Sequence, residues 1–204
     1  MTQPPRRALV VIDVQQEYFT GNLLIQHPPV SRSLPNIGRA MDAAAEAGIP
    51  VAVIQHSSPA TSPLFAKGSP AWELHPEVAR RHRDHYIEKN FPSVFTGTDF
   101  AEWLARHEID TLAIVGYMTH NCNASTFYEA VHRKLTVEHL HDATGSLGYA
   151  NAAGRASGEE IHRVLNVVFH TLGAVASTDQ WVAAVKAKEA LPRGSIPASY
   201  QAAL

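Results

Sequence analysis

The hydrophobic residues of this chain follow two alternating patterns. Short continuous apolar runs rich in valine and isoleucine, such as "ALVVID" and "TLAIVG", are typical of strands buried on both faces. Between these runs lie segments whose apolar residues recur every three or four positions, which is typical of amphipathic helices. Strands are predicted at residues 8–13, 50–56, 85–89, 111–116 and 135–143, and at the start of 174–187. Helices are predicted at residues 34–48, 98–108, 123–134 and 157–173, and in the rest of 174–187.

Polar residues at the predicted boundaries support these helices. Thr98 is a suitable N-cap for the second helix, and Ser157 and Glu160 have the spacing of a capping box. Gly48 follows the first helix, where a glycine commonly ends a helix. The segment 57–70 is rich in proline and serine and is predicted to be a loop.

The alternation of strands with helices determines the predicted fold class. Such chains form right-handed βαβ units, which place parallel strands in one sheet with helices on both faces. The chain is therefore predicted to be an α/β protein with a three-layer α/β/α, Rossmann-like architecture and a six-stranded, mainly parallel sheet. Residues 1–187 are predicted to form this single domain. Residues 188–204 show little periodicity and are predicted to form an extended C-terminal tail that could pack on a partner subunit.

The composition of the chain excludes several classes of partner. The net charge of the 204 residues is −2, with no basic stripe, so no nucleic-acid partner is expected. No run approaches the ~18 apolar residues of a membrane span, and Asp13 ends the first apolar run too early for a signal peptide. The single cysteine cannot form an internal disulfide, which fits a cytoplasmic protein.

Three reactive side chains follow predicted strands. Asp13 ends the first strand, Lys89 ends the third, and Cys122 lies shortly after the fourth. Because open parallel sheets bind ligands at the carboxyl ends of their strands, these residues are expected to meet at one edge. Cys122 also lies near the start of a predicted helix, where main-chain N–H groups and a nearby lysine are expected to lower the pKa of its thiol.

Each of these residues also has an ordinary structural interpretation. An aspartate at a strand end often caps a turn, a lysine in a loop is commonly solvated, and a lone cysteine is often an inert part of the core. Their common position at one edge strengthens the catalytic interpretation, but position alone leaves the structural one ahead. In the catalytic interpretation Asp13 is a base, Lys89 a cation and Cys122 a nucleophile.

Four segments resemble one known family. "ALVVIDVQQEYF", "KNFPSVFTGTDFAEWL", "TLAIVGYMTHNCNASTFYEA" and "LHDATGS" occur in the order seen in the isochorismatase-like cysteine hydrolases, which include nicotinamidases and N-carbamoylsarcosine amidases. The resemblance extends from about Ala8 to about Trp181. It implies the isochorismatase-like hydrolase fold and an enzyme that acts on a small molecule.

The resemblance also implies roles for individual residues. Asp13 matches the catalytic aspartate of the family, Lys89 its lysine and Cys122 its nucleophile. The family has a cis peptide bond before the turn that carries the cysteine, which here is the Tyr117–Met118 bond. By the same resemblance, the N–H groups of Met118 and Cys122 are expected to form an oxyanion hole.

Two departures from family members narrow the expected reaction. Nicotinamidases have an Asp-x-His metal site after the second strand, but "QHSSPATSPLF" contains only His56, so neither a metal ion nor another cofactor is expected. Isochorismatases that cleave a vinyl ether lack the cysteine. The presence of Cys122 therefore favours hydrolysis of a C–N bond.

Residues in the loops at the same edge are candidates for substrate binding. Alternatives remain open for several of them: Trp72 and Phe91 could be core or interface packing, and His56 could be a hydrogen-bonded wall residue. Asn121 or Asn123 could cap the helix after the cysteine. The predicted substrate-binding residues are Phe19, His56, Trp72, Tyr117, His120 and Asn121.

The sequence thus predicts a metal-independent cysteine hydrolase that cleaves an amide or cyclic amide of a small molecule through a thioester. Two alternatives are an isochorismatase-type vinyl-ether hydrolase and a non-catalytic binding or scaffold protein that retains the fold. The resemblance also implies a homodimer or a larger homo-oligomer.

Overall fold

The computed structural model describes residues 3–204 and contains the predicted alternation of strands and helices. The strands are β1 (Arg7–Ile12), β2 (Val51–His56), β3 (His85–Lys89), β4 (Thr111–Tyr117), β5 (Thr136–Gly145), β6 (Tyr149–Asn151), β7 (Gly154–Ala156) and β8 (Ala174–Ala176). The helices are α1 (Val30–Glu46), α2 (Pro76–Ala79), α3 (Phe100–Arg106), α4 (Ala124–His132), α5 (Gly158–His170), α6 (Thr178–Ala187) and α7 (Ile196–Gln201). A short 3₁₀ helix, Gln16–Tyr18, follows β1, and a π-helical turn, Thr119–Asn123, precedes α4.

Six strands form a single sheet in the order β3-β2-β1-β4-β5-β8. All neighbours in this sheet are parallel, as predicted for a sheet built from βαβ units. The chain first moves outward from β1 through β2 to β3 and then returns to the other side of β1 as β4. The strand order therefore reverses between β1 and β4, and this reversal is where ligands bind in open α/β sheets.

Apolar side chains cover both faces of the sheet. Along β1, Leu9 and Val11 pack in one buried cluster with α1 and α6, whereas Val10 and Ile12 pack in a second cluster with α3, α4 and α5. These four side chains are fully buried. This is the three-layer α/β/α arrangement that the continuous apolar runs predicted.

The boundaries of the elements show where the sequence prediction was accurate. The capping box of Ser157 and Glu160 is present at the start of α5. The cap predicted at Thr98 is offset by one position: Asp99 is the N-cap of α3, and the Thr98 hydroxyl accepts a hydrogen bond from the Phe100 N–H at 3.3 Å.

Two features of the fold were not predicted. Strands β6 and β7 form an antiparallel hairpin in a segment whose sequence shows no clear strand pattern. The tail is also not wholly extended, because residues 196–201 form α7 and Leu191 is buried. Among the residues described, no helix is long and apolar enough to cross a bilayer.

Candidate active site

The three predicted catalytic side chains meet at the carboxyl edge of the sheet. Asp13 directly follows β1, Lys89 ends β3, and Cys122 lies in the π-helical turn after β4. Lys89 Nζ donates to Asp13 Oδ2 at 2.7 Å and lies 3.3 Å from Cys122 Sγ. The Asp13 and Lys89 side chains are 0% exposed, and Cys122 is 4% exposed. The structure therefore brings a carboxylate, an ammonium and a thiol together in a site that is almost fully buried.

One oxygen of the Asp13 carboxylate has no hydrogen-bond partner in the described chain. Its Oδ2 accepts from Lys89, whereas its Oδ1 is buried without a hydrogen-bond partner among residues 3–204. The residue also adopts a left-handed conformation, with φ of 51°, while its N–H donates to the Ile54 carbonyl at 3.0 Å. A buried carboxylate oxygen without a partner is costly, and such atoms are often found where chemistry needs them.

Gly116 allows the cysteine turn to lie over the end of β1. Its φ is +102°, and a Cβ at this position would lie 2.1 Å from the Ile12 carbonyl oxygen. Only glycine fits so close to the neighbouring strand. The Asn123 side chain then ties the turn back to β4, donating to the Gly116 carbonyl at 2.9 Å. Asn123 occupies the N-cap position of α4, but its side chain makes no capping hydrogen bond, so the capping alternative left open for Asn121 or Asn123 is not found at Asn123.

The Tyr117–Met118 peptide bond is cis in the structure. Within residues 3–204 the Met118 N–H has no hydrogen-bond acceptor, while the Met118 carbonyl accepts from the N–H groups of Asn121 and Asn123. The Met118 N–H is therefore a main-chain donor that the described residues do not engage.

The thiol of Cys122 differs from the sequence prediction in its pKa. Burial raises this pKa well above the ordinary value, the nearby Asp13 raises it further, and Lys89 only partly opposes them. The prediction of a lowered thiol pKa is therefore wrong. Burial alone would lower the pKa of Lys89, but the charge of Asp13, together with the hydrogen bonds to Asp13 and Cys122, outweighs burial and raises it. Lys89 accordingly remains an ammonium, and Cys122 is protonated at neutral pH.

His56 lies at the edge of this set. Its Nδ1 is 3.4 Å from Lys89 Nζ, and its ring packs edge-on against Phe65 at a centroid distance of 5.1 Å. Burial and the Lys89 charge both lower the pKa of His56. Among residues 3–204, no group of three or more His, Cys, Asp or Glu side chains is arranged to hold a metal ion.

His120 connects the cysteine turn to the β6–β7 hairpin. Its Nδ1 lies 3.1 Å from Ser146 Oγ, and its Nε2 lies 3.0 Å from the Tyr149 hydroxyl. Burial lowers the pKa of His120 to about 4, so the ring is neutral at neutral pH. Ser146 and Tyr149 were not predicted, because they lie in irregular or weakly patterned segments where spacing does not indicate a role.

Tyr117 corrects one prediction about the substrate pocket. It is 0% exposed and packs against Tyr18 and Phe19, and its hydroxyl is 2.8 Å from Ser33 Oγ. Tyr117 is therefore part of the core that faces α1, and its side chain does not line the site. Phe19 is half-buried and also packs against His75, with the two rings tilted and their centroids 4.4 Å apart.

Trp72 braces the loop between β2 and β3. Its indole N–H donates to Ser57 Oγ at 2.7 Å, and its carbonyl accepts from the side chains of Gln15 and Gln55. This bonding favours the packing interpretation of Trp72. Asn121 is half-buried beside Cys122, and Phe91 is 54% exposed.

Two sizeable cavities lie away from Cys122. One, of about 560 Å³, is lined by Pro5, Arg7 and Val185 at the amino edge of the sheet. The other, of about 540 Å³, lies between α5 and the tail and is lined by His162 and Ser199, among others. Neither cavity is lined by Cys122. The candidate active site is therefore identified by the arrangement of Asp13, Lys89 and Cys122 and not by the size of a cavity.

The fold and this set of side chains define a thiol-containing α/β hydrolase, and comparison with known proteins identifies the family. A sequence profile of the isochorismatase domain matches residues 7–180. The chain belongs to the isochorismatase family of hydrolases. This agrees with the resemblance seen in the four sequence segments.

Individual relatives agree with this assignment. The crystal structure of a candidate isochorismatase from Burkholderia xenovorans LB400 is 61% identical and superposes with a TM-score of 0.97, covering 98% of this chain and 97% of that one. The secreted isochorismatase effector Isc1 of Verticillium dahliae is 32% identical over 67% of this chain and 71% of its own length. An N-carbamoylsarcosine amidase from Thermoplasma acidophilum, 22% identical with a TM-score of 0.69 over 85% of this chain and 96% of that one, shares the fold.

Proposed function

We propose that this protein is a cysteine hydrolase that cleaves a C–N bond, in an amide or cyclic amide of a small molecule, without a metal ion. The observation that carries the proposal is the contact of Lys89 Nζ with both Asp13 Oδ2, at 2.7 Å, and Cys122 Sγ, at 3.3 Å. A base, a cation and a nucleophile within one dry site are the elements of covalent acyl transfer.

In the first step, Asp13 takes the proton of Cys122 while Sγ attacks the substrate carbonyl. The new S–C bond moves the carbonyl π electrons onto oxygen, and the N–H groups of Met118 and Cys122 bind this oxyanion. The unpartnered Oδ1 of Asp13 gives the incoming proton a site that Lys89 does not occupy. A raised thiol pKa fits this sequence, since the proton leaves during attack rather than beforehand.

In the second step, protonated Asp13 donates to the leaving nitrogen, and the C–N bond breaks to leave a thioester. Asp13 then accepts a proton from water, which attacks the thioester, and cleavage of the S–C bond releases the acid. Asp13 then returns a proton to the Cys122 sulfur. Throughout this cycle negative charge moves between Asp13 and Cys122, and the Lys89 ammonium lies beside both positions.

His56 supports the absence of a metal from this mechanism. Its Nδ1 lies 3.4 Å from the Lys89 ammonium, so a metal ion bound at Nδ1 would be repelled. His56 instead forms part of the polar wall around the reacting groups.

Substrate recognition is assigned to the half-buried residues around the thiol. The half-buried His120 and Asn121 directly precede Cys122 on its own turn, and the more exposed Tyr149 of the hairpin packs edge-on against His120, with ring centroids 5.1 Å apart. These groups are neutral hydrogen-bonding partners suited to an uncharged amide. Phe19 is proposed to shape the pocket from the first loop, whereas Trp72 holds the loop between β2 and β3 in place through its hydrogen bonds.

The cellular setting is part of the proposal as well. The single cysteine, left reduced in this mechanism, fits the cytoplasm. The Verticillium relative is named as a secreted effector. A homodimer or larger homo-oligomer is proposed, with residues 188–204 in contact with a partner subunit.

A panel of small primary and cyclic amides tests the proposal. Ammonia release reports cleavage of primary amides, and a mass gain of one water reports ring opening. Wild type is expected to turn over at least one member, whereas Cys122→Ala retains only background because it lacks the nucleophile. Ser125→Ala, a change on the neighbouring half-buried residue, serves as the matched control and should retain activity.

Three results would overturn the proposal. Turnover of an amide by Cys122→Ala at the wild-type rate would show that the thiol is not the nucleophile. Cleavage of vinyl ethers with no amide turnover would favour the isochorismatase reaction, and no turnover of either class would favour a binding protein.

A further inference from the structure

The turn that carries Cys122 is held from the side by a histidine of α5. Thr119, the first residue of the turn, has its Oγ1 2.9 Å from His162 Nδ1. Thr119 is 0% exposed and His162 is 4% exposed, so water competes little for this bond. The catalytic mechanism above makes no use of His162.

The bonding of the His162 ring determines which atom donates. His162 Nε2 lies 2.9 Å from the His141 carbonyl oxygen, which can only accept, so Nε2 carries the proton. In the neutral ring Nδ1 is then an acceptor, and the Thr119 hydroxyl must donate to it. Burial lowers the pKa of His162 to about 4, which keeps this neutral form at neutral pH.

The turn is therefore anchored at both ends by different elements. Asn123, its last residue, is bonded to the Gly116 carbonyl of β4, and Thr119 is bonded to α5 through His162. Cys122 lies between these anchors, and Met118 directly precedes Thr119. A shift of Thr119 would move both the thiol and the Met118 N–H relative to Asp13.

We propose that His162 is a positioning residue: through Thr119 it fixes the cysteine turn, so that Cys122 Sγ stays beside Asp13 and Lys89. The inference rests on the proposed function, since it treats Cys122 as the nucleophile. His162 itself touches neither substrate nor the reacting atoms. It belongs to α5, an element that contributes no group to the chemistry.

The test uses Thr119→Val, which removes the hydroxyl without changing side-chain shape, together with Thr119→Ser and His162→Phe. On an amide that wild type turns over, Thr119→Val and His162→Phe should each lower kcat by about 10–100-fold with KM nearly unchanged, because small misplacements of reacting groups are costly. Thr119→Ser keeps the donor and should restore activity to near wild type. The double variant should be no slower than the slower single variant, because both changes break the same bond.

A second readout needs no substrate. The midpoint of the pH profile for alkylation of Cys122 by iodoacetamide, followed by intact mass, should fall in Thr119→Val toward that of an ordinary thiol, ~8.5. The reason is that a displaced sulfur is less buried and farther from Asp13, the two causes that raise its pKa.

Thr178→Val is the matched control. Thr178 is also 0% exposed, and its hydroxyl donates to Asp142 Oδ1 at 2.8 Å, at the start of α6. Its loss should lower the thermal unfolding midpoint about as much as Thr119→Val does, while kcat and the alkylation profile stay at wild-type values.

Wild-type kcat and an unchanged alkylation midpoint in Thr119→Val and His162→Phe would overturn the inference. If Thr119→Val does not fold, His162→Phe decides by the same two readouts. Failure of the proposed function is distinguishable: Cys122→Ala would then turn over amide like wild type, whatever Thr119 and His162 variants do.

Discussion

Two buried ion pairs lie at opposite edges of the same sheet. Arg7, the first residue of β1, pairs with Glu138 of β5 near the amino ends of the strands. Asp13, just after the same strand β1, pairs with Lys89 at the carboxyl ends. The side chains of both pairs are nearly or fully inaccessible, with exposures of 3% and 1% for Arg7 and Glu138 and 0% for both members of the second pair.

The Arg7–Glu138 pair is fully satisfied. Arg7 Nε and Nη2 donate to the two Glu138 oxygens at 2.8 Å each, and the Trp181 indole N–H adds a third bond at 2.9 Å. Arg7 Nη2 also donates to the Glu189 carbonyl at 2.6 Å, which ties the start of the tail to the sheet. A bidentate pair of this kind leaves no oxygen free to accept a proton, and its role is structural.

The Asp13–Lys89 pair is satisfied only in part. Lysine offers Asp13 a single contact at 2.7 Å, Asp13 Oδ1 has no partner within the described chain, and the Cys122 thiol lies 3.3 Å from the same ammonium. The two pairs are similarly buried, but of their carboxylate oxygens only Asp13 Oδ1 lacks a partner within the described chain. The comparison teaches that unused hydrogen-bonding capacity, rather than the presence of a buried charge, distinguishes the reactive pair.

Asp13→Asn should give the largest effect of this comparison. The amide cannot accept the Cys122 proton, so kcat is expected to fall by about 10²–10⁴-fold, the usual contribution of a general base. The change also leaves the Lys89 ammonium buried without its carboxylate, so kcat is compared per folded protein. Steady-state kinetics on an amide from the panel, with thermal unfolding of the same sample, measures both; wild-type kcat would remove Asp13 from the mechanism.

Glu138→Gln should lower the stability of the protein without changing its activity. It leaves the Arg7 guanidinium buried without its carboxylate, which typically costs about 3–5 kcal/mol of unfolding free energy. The activity of the folded fraction should be unchanged, since Glu138 lies at the far edge of the sheet. Urea unfolding and kcat are the measurements. A stable but inactive Glu138→Gln protein would show that the two edges are coupled and that the comparison is wrong.

The sequence was informative where a side chain's role followed from its place in the fold pattern. The positions of Asp13 and Lys89 at strand ends, and of Cys122 after β4, could be predicted because parallel strands point their carboxyl ends the same way. The six-stranded sheet followed from the apolar runs for the same reason. These predictions depend on local pattern and on chain direction alone.

The remaining features depend on contacts between distant segments. The register of β4 against β5 shifts between Ile114 and Gly116, and no periodicity indicates that Tyr117 would then face the core. His162 reaches Thr119 across 43 positions, and Arg7 reaches Glu138 across 131. Each of these residues is unremarkable in its own segment. Their roles become visible only once the helices and strands are packed.

The direction of the thiol pKa shift was predicted wrongly for a related reason. A helix start and a lysine both favour a thiolate, and both are present near Cys122. Burial and the Asp13 charge oppose them and are larger. The sequence shows which charges are near in the chain, but it does not show how completely a site excludes water.

The pH dependence of Cys122 alkylation by iodoacetamide tests the central claim most directly, namely that Asp13 holds the resting thiol protonated and takes its proton only during attack. Wild type is predicted to have its midpoint above that of an ordinary thiol, ~8.5. Asp13→Asn removes a negative charge that disfavours the thiolate and should lower the midpoint, whereas Lys89→Gln removes a positive charge that favours it and should raise the midpoint. Midpoints near 8.5 in all three proteins, or an upward shift in Asp13→Asn, would contradict this account.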